Sequence, residues 1–179
     1  LEATLEQFRD LSIQEVAMII NILGSQETMA YKISLEVIQK MGHRLPYTEG
    51  EEWDLAVAPL LTVKVSLEEL HKPRLGTLIF HPSPLPYGRG ASALKWAYRR
   101  HEPIAAACWF WANDKLDAGD ICELEIIKIE YSMSPRAFYE THIIPALERT
   151  LKRCLEALDY GFIHRVPQEE RYSTYDPKI

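Results

Sequence analysis

Four short apolar runs, VAMIINIL (16–23), WDLAVAPL (53–60), TLIF (77–80) and AAACWFWA (105–112), constrain the fold of this chain more than any other feature. Each is apolar at nearly every position instead of alternating, and each is bounded by Gly, Pro or polar residues, the pattern of a strand covered on both faces. Between them lie segments with helical spacing. In residues 27–41, Ala30, Ile33, Val37, Ile38 and Met41 recur every three or four positions, and Gly42 is a stop signal. Shorter helices are predicted at 66–71, before Pro73, and at about Ser92–Arg100. Ser134-Pro135 is a capping residue followed by proline at the first helical position, and Leu147, Leu151, Leu155 and Leu158 continue that helix to Gly161, with Pro145 expected to kink or divide it. A second strand at His43–Tyr47 would complete a parallel β-α-β unit, and ICELEIIKIE (121–130) alternates as a half-exposed strand does. HPSPLPYGRG (81–90) carries three prolines and two glycines and is predicted to lack regular structure. The element order is that of an α/β domain over 16–163, preceded by an amphipathic helix at 1–15 and followed by an irregular polar tail at 164–179.

Charge and cysteine content narrow the function classes. Across 179 residues, 20 Lys+Arg face 26 Asp+Glu, a net charge of −6, with no basic run. That balance argues against nucleic acid and against an anionic membrane surface as partners. No stretch reaches the ~20 apolar residues of a membrane span, so a cytoplasmic location is expected. Cys108, Cys122 and Cys154 are far apart, form no CxxC pair and have no His at metal-ligand spacing. They read as small buried residues in a reducing compartment, and no bound metal is expected.

Sites in open α/β sheets form in loops beyond strand ends. His81 leaves the TLIF run on a proline-stiffened loop, where a residue titrating near neutrality can serve as general acid or base. The loop WANDKLDAGD (111–120) follows another strand and holds Asp114, Asp117 and Asp120 with Gly119 as its turn. Each has a plainer reading, a structural histidine and an Asp-Gly turn. Tyr87, Arg89 and Arg100 read as well as surface residues, and Trp109 and Trp111 as core.

Two longer phrases add a resemblance. HPSPLPYGRGASALKWA (81–97) resembles the HPSLLPxxRGAxxxxWA signature of folate-dependent formyltransferases, and FWANDKLDAGDI (110–121) resembles their second signature, with His81 and Asp117 36 residues apart as in that family. RGASAL, FYETHIIPALE and RVPQEERYSTYDP are most similar to the branch formed by the hydrolase domain of 10-formyltetrahydrofolate dehydrogenases. The resemblance implies a Rossmann-like formyltransferase fold, a mostly parallel sheet with helices on both faces. It implies 10-formyltetrahydrofolate as formyl donor and water or an amine as acceptor. His81 would stabilise oxyanion charge and Asp117 would hold a proton or a water. Folate would be met by backbone groups in Pro59–Lys64 and Trp111–Leu116, which include Ala112 and Asn113, with Leu60, Leu61 and Val63 as apolar walls.

The chain departs from that family at three places. Ile79 stands where the family has Asn, although the hydrolase branch also tolerates Ile there, as does a hydrogenase-maturation branch that carries HPG instead of HPS. Only TEGEE separates HRLPY from WDLAVAP, so one edge strand and helix of the sheet are expected to be missing, and the exposed edge would invite a homodimer. The loop GSQET after the first strand lacks the Gly/Ser-rich phosphate cradle of purine-synthesis relatives, which argues against a ribonucleotide acceptor. A catalytically silent folate- or partner-binding domain, or a formylation domain of a larger synthetase, is the alternative.

Overall fold

The computed structural model describes residues 17–61 and 65–179. The proposed helix at 1–15 and Val63 lie outside the described residues. Five strands form the main sheet: β1 (Ile20–Gly24), β2 (Leu55–Leu60), β3 (Thr77–His81), β5 (Ile104–Trp111) and β6 (Ile121–Lys128), side by side in that order. β1, β2 and β3 are parallel, β5 is antiparallel to β3, and β6 is antiparallel to β5. Four of the five strands therefore run the same way.

The apolar runs become these strands because both sheet faces are covered. One face carries the larger side chains, among them Ile20, Leu55, Val57, Leu78, Phe80 and Trp109. It is covered by α1 (Met29–Lys40) and α5 (Ile144–Asp159), which also pack on each other. Thr28 caps α1, its hydroxyl accepting from the Tyr31 amide at 3.2 Å. The Trp109 indole donates to Thr150 of α5 at 3.0 Å, which satisfies a buried polar atom inside this layer. The opposite face is lined by small residues, Ala56 and Ala58, with Ile79, Cys108 and Phe110 beside them, and among the described residues its helix cover is the short α2 (Leu67–His71). Loops do the rest, and His81 falls on that face because it is two residues beyond Ile79 on β3.

Two expectations are corrected. His43–Tyr47 makes only an isolated bridge, Ile19 with Arg44, so the first β-α-β unit is β1-α1-β2. Pro46 has no amide hydrogen to extend that pairing. HPSPLPYGRG is regular at its end, where β4 (Arg89–Gly90) pairs in parallel with β7 (Tyr175–Asp176). The tail, without regular structure over most of its length, is tied to the rest of the fold: Val166 bridges Ile121 and Glu170–Tyr172 form a 3₁₀ turn ahead of β7. The missing partner was remote in sequence, and so invisible to local patterning.

α3 spans Ala93–Arg100, and α4 (Pro135–Phe138) leads through a π-helical turn, Tyr139–Ile143, into α5. Pro145 was expected to kink or divide this helix. The wider π turn just before it lets the path continue to Asp159, since proline cannot donate back to the preceding turn. All three cysteines are free and buried. No helix among the described residues is long and apolar enough to cross a membrane.

Candidate functional site

His81 closes β3 opposite Cys108 and is almost fully buried. Its Nε2 is 2.6 Å from the Gly88 carbonyl. A carbonyl can only accept, so the hydrogen of that bond is on Nε2 and the other ring nitrogen, Nδ1, is the one that faces the site. The same carbonyl accepts from the Ser83 hydroxyl at 3.2 Å, which ties the proline loop back on itself. Gly88 has φ +74°, and a Cβ there would press on Ser83, so the turn that presents its carbonyl to His81 calls for glycine. Cys108 is no competing nucleophile, because burial pushes its thiol well above the ordinary range.

Asp117 reaches His81 by an indirect route. Because β5 is antiparallel, its end at Trp111 lies beside Leu78, toward the start of β3 and away from His81. The loop must turn back over the small-residue face. Gly119 permits this: a Cβ at that position would collide with the Trp111 carbonyl and lie 3.5 Å from the Phe110 ring. Asp117 adopts the left-handed conformation, φ +49°, which Asp tolerates better than most residues. Its Oδ2 accepts from the Gly90 amide at 2.7 Å and stands 3.8 Å from Nδ1 of His81. At that separation a shared water or a reacting group fits more naturally than a direct hydrogen bond. Of the three loop aspartates, Asp114 is exposed and only Asp117 pairs with His81.

The other expected folate residues divide into those that pack on the sheet face that carries His81 and those turned elsewhere. Leu61, Ala112 and Ile79 are half-buried and pack on one cluster, making an apolar wall on the site's face. Leu60 packs against the main core instead. Trp111 is buried, its indole donating to the His164 carbonyl at 2.7 Å and its amide to Asp120 at 2.8 Å, in agreement with a core reading of that side chain. The Ala112 amide is also taken, by Thr77 at 2.8 Å. Asn113 Oδ1 accepts from the Lys115 amide and shapes the turn, and Leu116 points outward, 62% exposed.

Arg89 is not a surface residue. It is fully buried, its Nε donating to Gln168 and its Nη1 to Glu170 and Tyr175, all from the tail. Arg100 likewise donates to the buried Asp176 at 2.6 Å. Sequence reasoning missed Gln168, Thr174 and Asp176, which reach the signature loop from about 80 residues away. The one available signal was the tail phrase RVPQEERYSTYDP, read as family likeness without a structural role. Among the described residues no group of three or more His, Cys, Asp or Glu could hold a metal ion.

The profile of the family described as formyl transferase matches residues 47–141. The mitochondrial 10-formyltetrahydrofolate dehydrogenase of Homo sapiens is 31% identical over 123 residues, 69% of this chain and 13% of that protein. The cytosolic 10-formyltetrahydrofolate dehydrogenase of Xenopus tropicalis is 30% identical over 126 residues, 70% of this chain and 14% of that protein. The chain thus spans a small part of these relatives. Among solved structures, HypX from Aquifex aeolicus in complex with tetrahydrofolic acid superposes with a TM-score of 0.79 at 23% identity, over 90% of this chain and 30% of that one. Methionyl-tRNA formyltransferase from Clostridium thermocellum does so with a TM-score of 0.66 at 15% identity, over 90% and 71%. At these identities the structures speak for a shared fold.

Proposed function

This chain belongs to the formyl transferase family, and from that premise we propose that it takes a formyl group from 10-formyltetrahydrofolate and passes it to water, with His81 and Asp117 as the catalytic pair. The observation that carries this reading is the meeting of those side chains, 36 residues apart in sequence, at 3.8 Å on the sheet face covered by loops. With Nε2–H engaged by Gly88, Nδ1 of His81 presents a second N–H to the formyl oxygen when the ring is imidazolium, and that cation stabilises the negative charge that builds there. Asp117 takes a proton from the attacking water and returns it to the folate nitrogen as the bond to the formyl carbon breaks, leaving formate and tetrahydrofolate. The Gly90 amide keeps the carboxylate oriented through both transfers.

The residues present suit the donor. Leu61, Ile79 and Ala112, packed on one cluster, would offer an apolar surface to a flat ring, and with the Trp111 and Ala112 amides already used, carbonyl oxygens and the Asn113–Leu116 turn would meet its polar edge. Ile79 in place of an amide donor favours water over a demanding amine acceptor. The same substitution supports the second reading, a silent folate-binding domain.

The purified chain mixed with 10-formyltetrahydrofolate alone, beside His81→Ala and Asp117→Asn, separates these readings. Release of formate and tetrahydrofolate that falls ~10²-fold or more in either variant is expected. Saturable folate binding without release would favour the silent domain, and release unaffected by both substitutions would refute the assignment of the pair.

A further inference from the structure

The Asp117 turn is held from outside by one side chain of the tail. The carboxamide nitrogen of Gln168 donates to the Asp117 carbonyl at 2.9 Å and to the Gly119 carbonyl at 2.7 Å, while its oxygen accepts from Arg89 Nε at 3.0 Å. These partners fix the amide's orientation, since carbonyls only accept and a guanidinium only donates. Both N–H groups are therefore spent on the two ends of a turn whose first residue is in the left-handed conformation.

We infer that Gln168 is a positioning residue that sets the Asp117 carboxylate against His81, an inference that rests on the function proposed above. Strand β4 grips Asp117 twice. Gly90 donates its amide to the carboxylate, and Arg89 orients the glutamine that holds the main chain. Arg89 is itself immobilised, buried and bonded through Nη1 to Glu170 and Tyr175. The tail that supplies Gln168 is anchored independently to the signature loop, by the Gly88 amide on the Thr174 hydroxyl at 2.8 Å and the Arg89 amide on the Thr174 carbonyl at 2.9 Å. His81 leans on the carbonyl of that same Gly88. The tail thus couples the two halves of the pair: Thr174 steadies the residue that holds His81, and Gln168 steadies the turn that holds Asp117. A preorganised pair needs such support, because a shift of about 1 Å can cost ~10² in rate.

Two substitutions test this. Gln168→Glu keeps the shape and the acceptor for Arg89 but loses both donors, and Gln168→Met removes the polar group without adding a buried charge. The readouts are kcat and KM for formate release, the melting temperature, and hydrogen exchange of the segment 117–121. The expected result is a kcat about 10- to 100-fold lower with KM within about twofold, and faster exchange confined to that segment. Unchanged kcat and exchange in both variants would overturn the inference, as would a parallel loss of kcat, KM and melting temperature, which marks a strap with structural duty alone. A wild-type chain without turnover would count against the proposed function. Exchange would then decide this inference by itself, faster exchange at 117–121 supporting it and unchanged exchange overturning it.

Discussion

Tyr139 opens the π-helical turn ahead of Pro145, and its hydroxyl is buried without a hydrogen-bond partner among the described residues. Burial pushes its phenol up from 10.0 to about 12. Tyr139→Phe removes that oxygen and leaves the ring. An unsatisfied buried hydroxyl costs about 1–3 kcal/mol, so the variant should be more stable by ~1 kcal/mol at pH 7. For a chain of this size that raises the melting temperature by about 2–4 °C. The pH dependence follows from the same burial. A phenol whose folded-state pKa is raised contributes stability that is fully present below the unfolded value near 10 and lost as pH rises through about 12. The two-unit difference corresponds to roughly 2.7 kcal/mol, so the advantage of the variant should grow from ~1 toward ~4 kcal/mol across that window. Urea unfolding followed by fluorescence of the buried Trp109 and Trp111 at pH 7, 9, 10 and 11 measures it, and the other tyrosines cancel between the two proteins. A variant less stable at pH 7, or a difference independent of pH, would refute the reasoning by showing that the hydroxyl has a partner.

Gly119→Ala places a methyl against the Trp111 carbonyl, so the turn must shift and carry Asp117 with it. Formate release should fall ~10²-fold with the sheet intact by circular dichroism, and unchanged turnover would show that the close approach is dispensable. The Arg44 guanidinium, at 2.5 Å, and then the Tyr47 amide hold the Glu51 carboxyl down to about 2. A depressed carboxyl contributes stability that is fully present above its ordinary value of 4.5 and lost as pH falls through about 2. The melting-temperature gap between wild type and Glu51→Gln should be steady above pH 5 and close toward pH 2, and a gap still open there would refute the pairing.

Much of this was legible because it is local. Apolar runs, Ser134 as a cap and Gly42 as a stop each act within a few residues, and the structure places most of the corresponding elements within a residue or two of the expected ends, β1 excepted, which begins only at Ile20. HRLPY failed as a strand because pairing needs donors on the correct side, and Pro46 has none. The place of Arg89 was not legible because a charged residue is buried only when distant partners exist for it, and those are Gln168, Glu170 and Tyr175.

The sequence by itself determined the α/β class, the buried strands and the family, and it marked the two residues proposed as the pair, since periodicity and signature spacing are written along the chain. Only the tertiary structure decided how that pair is assembled. The reversed direction of β5, the fold-back over Phe110 that Gly119 allows, the choice of Nδ1 as the nitrogen facing Asp117, and the return of the tail through Gln168 all depend on groups remote in sequence. The physical reason is that a hydrogen bond discriminates tenths of an ångström and its donor's direction. Composition and spacing carry neither until the chain has closed on itself.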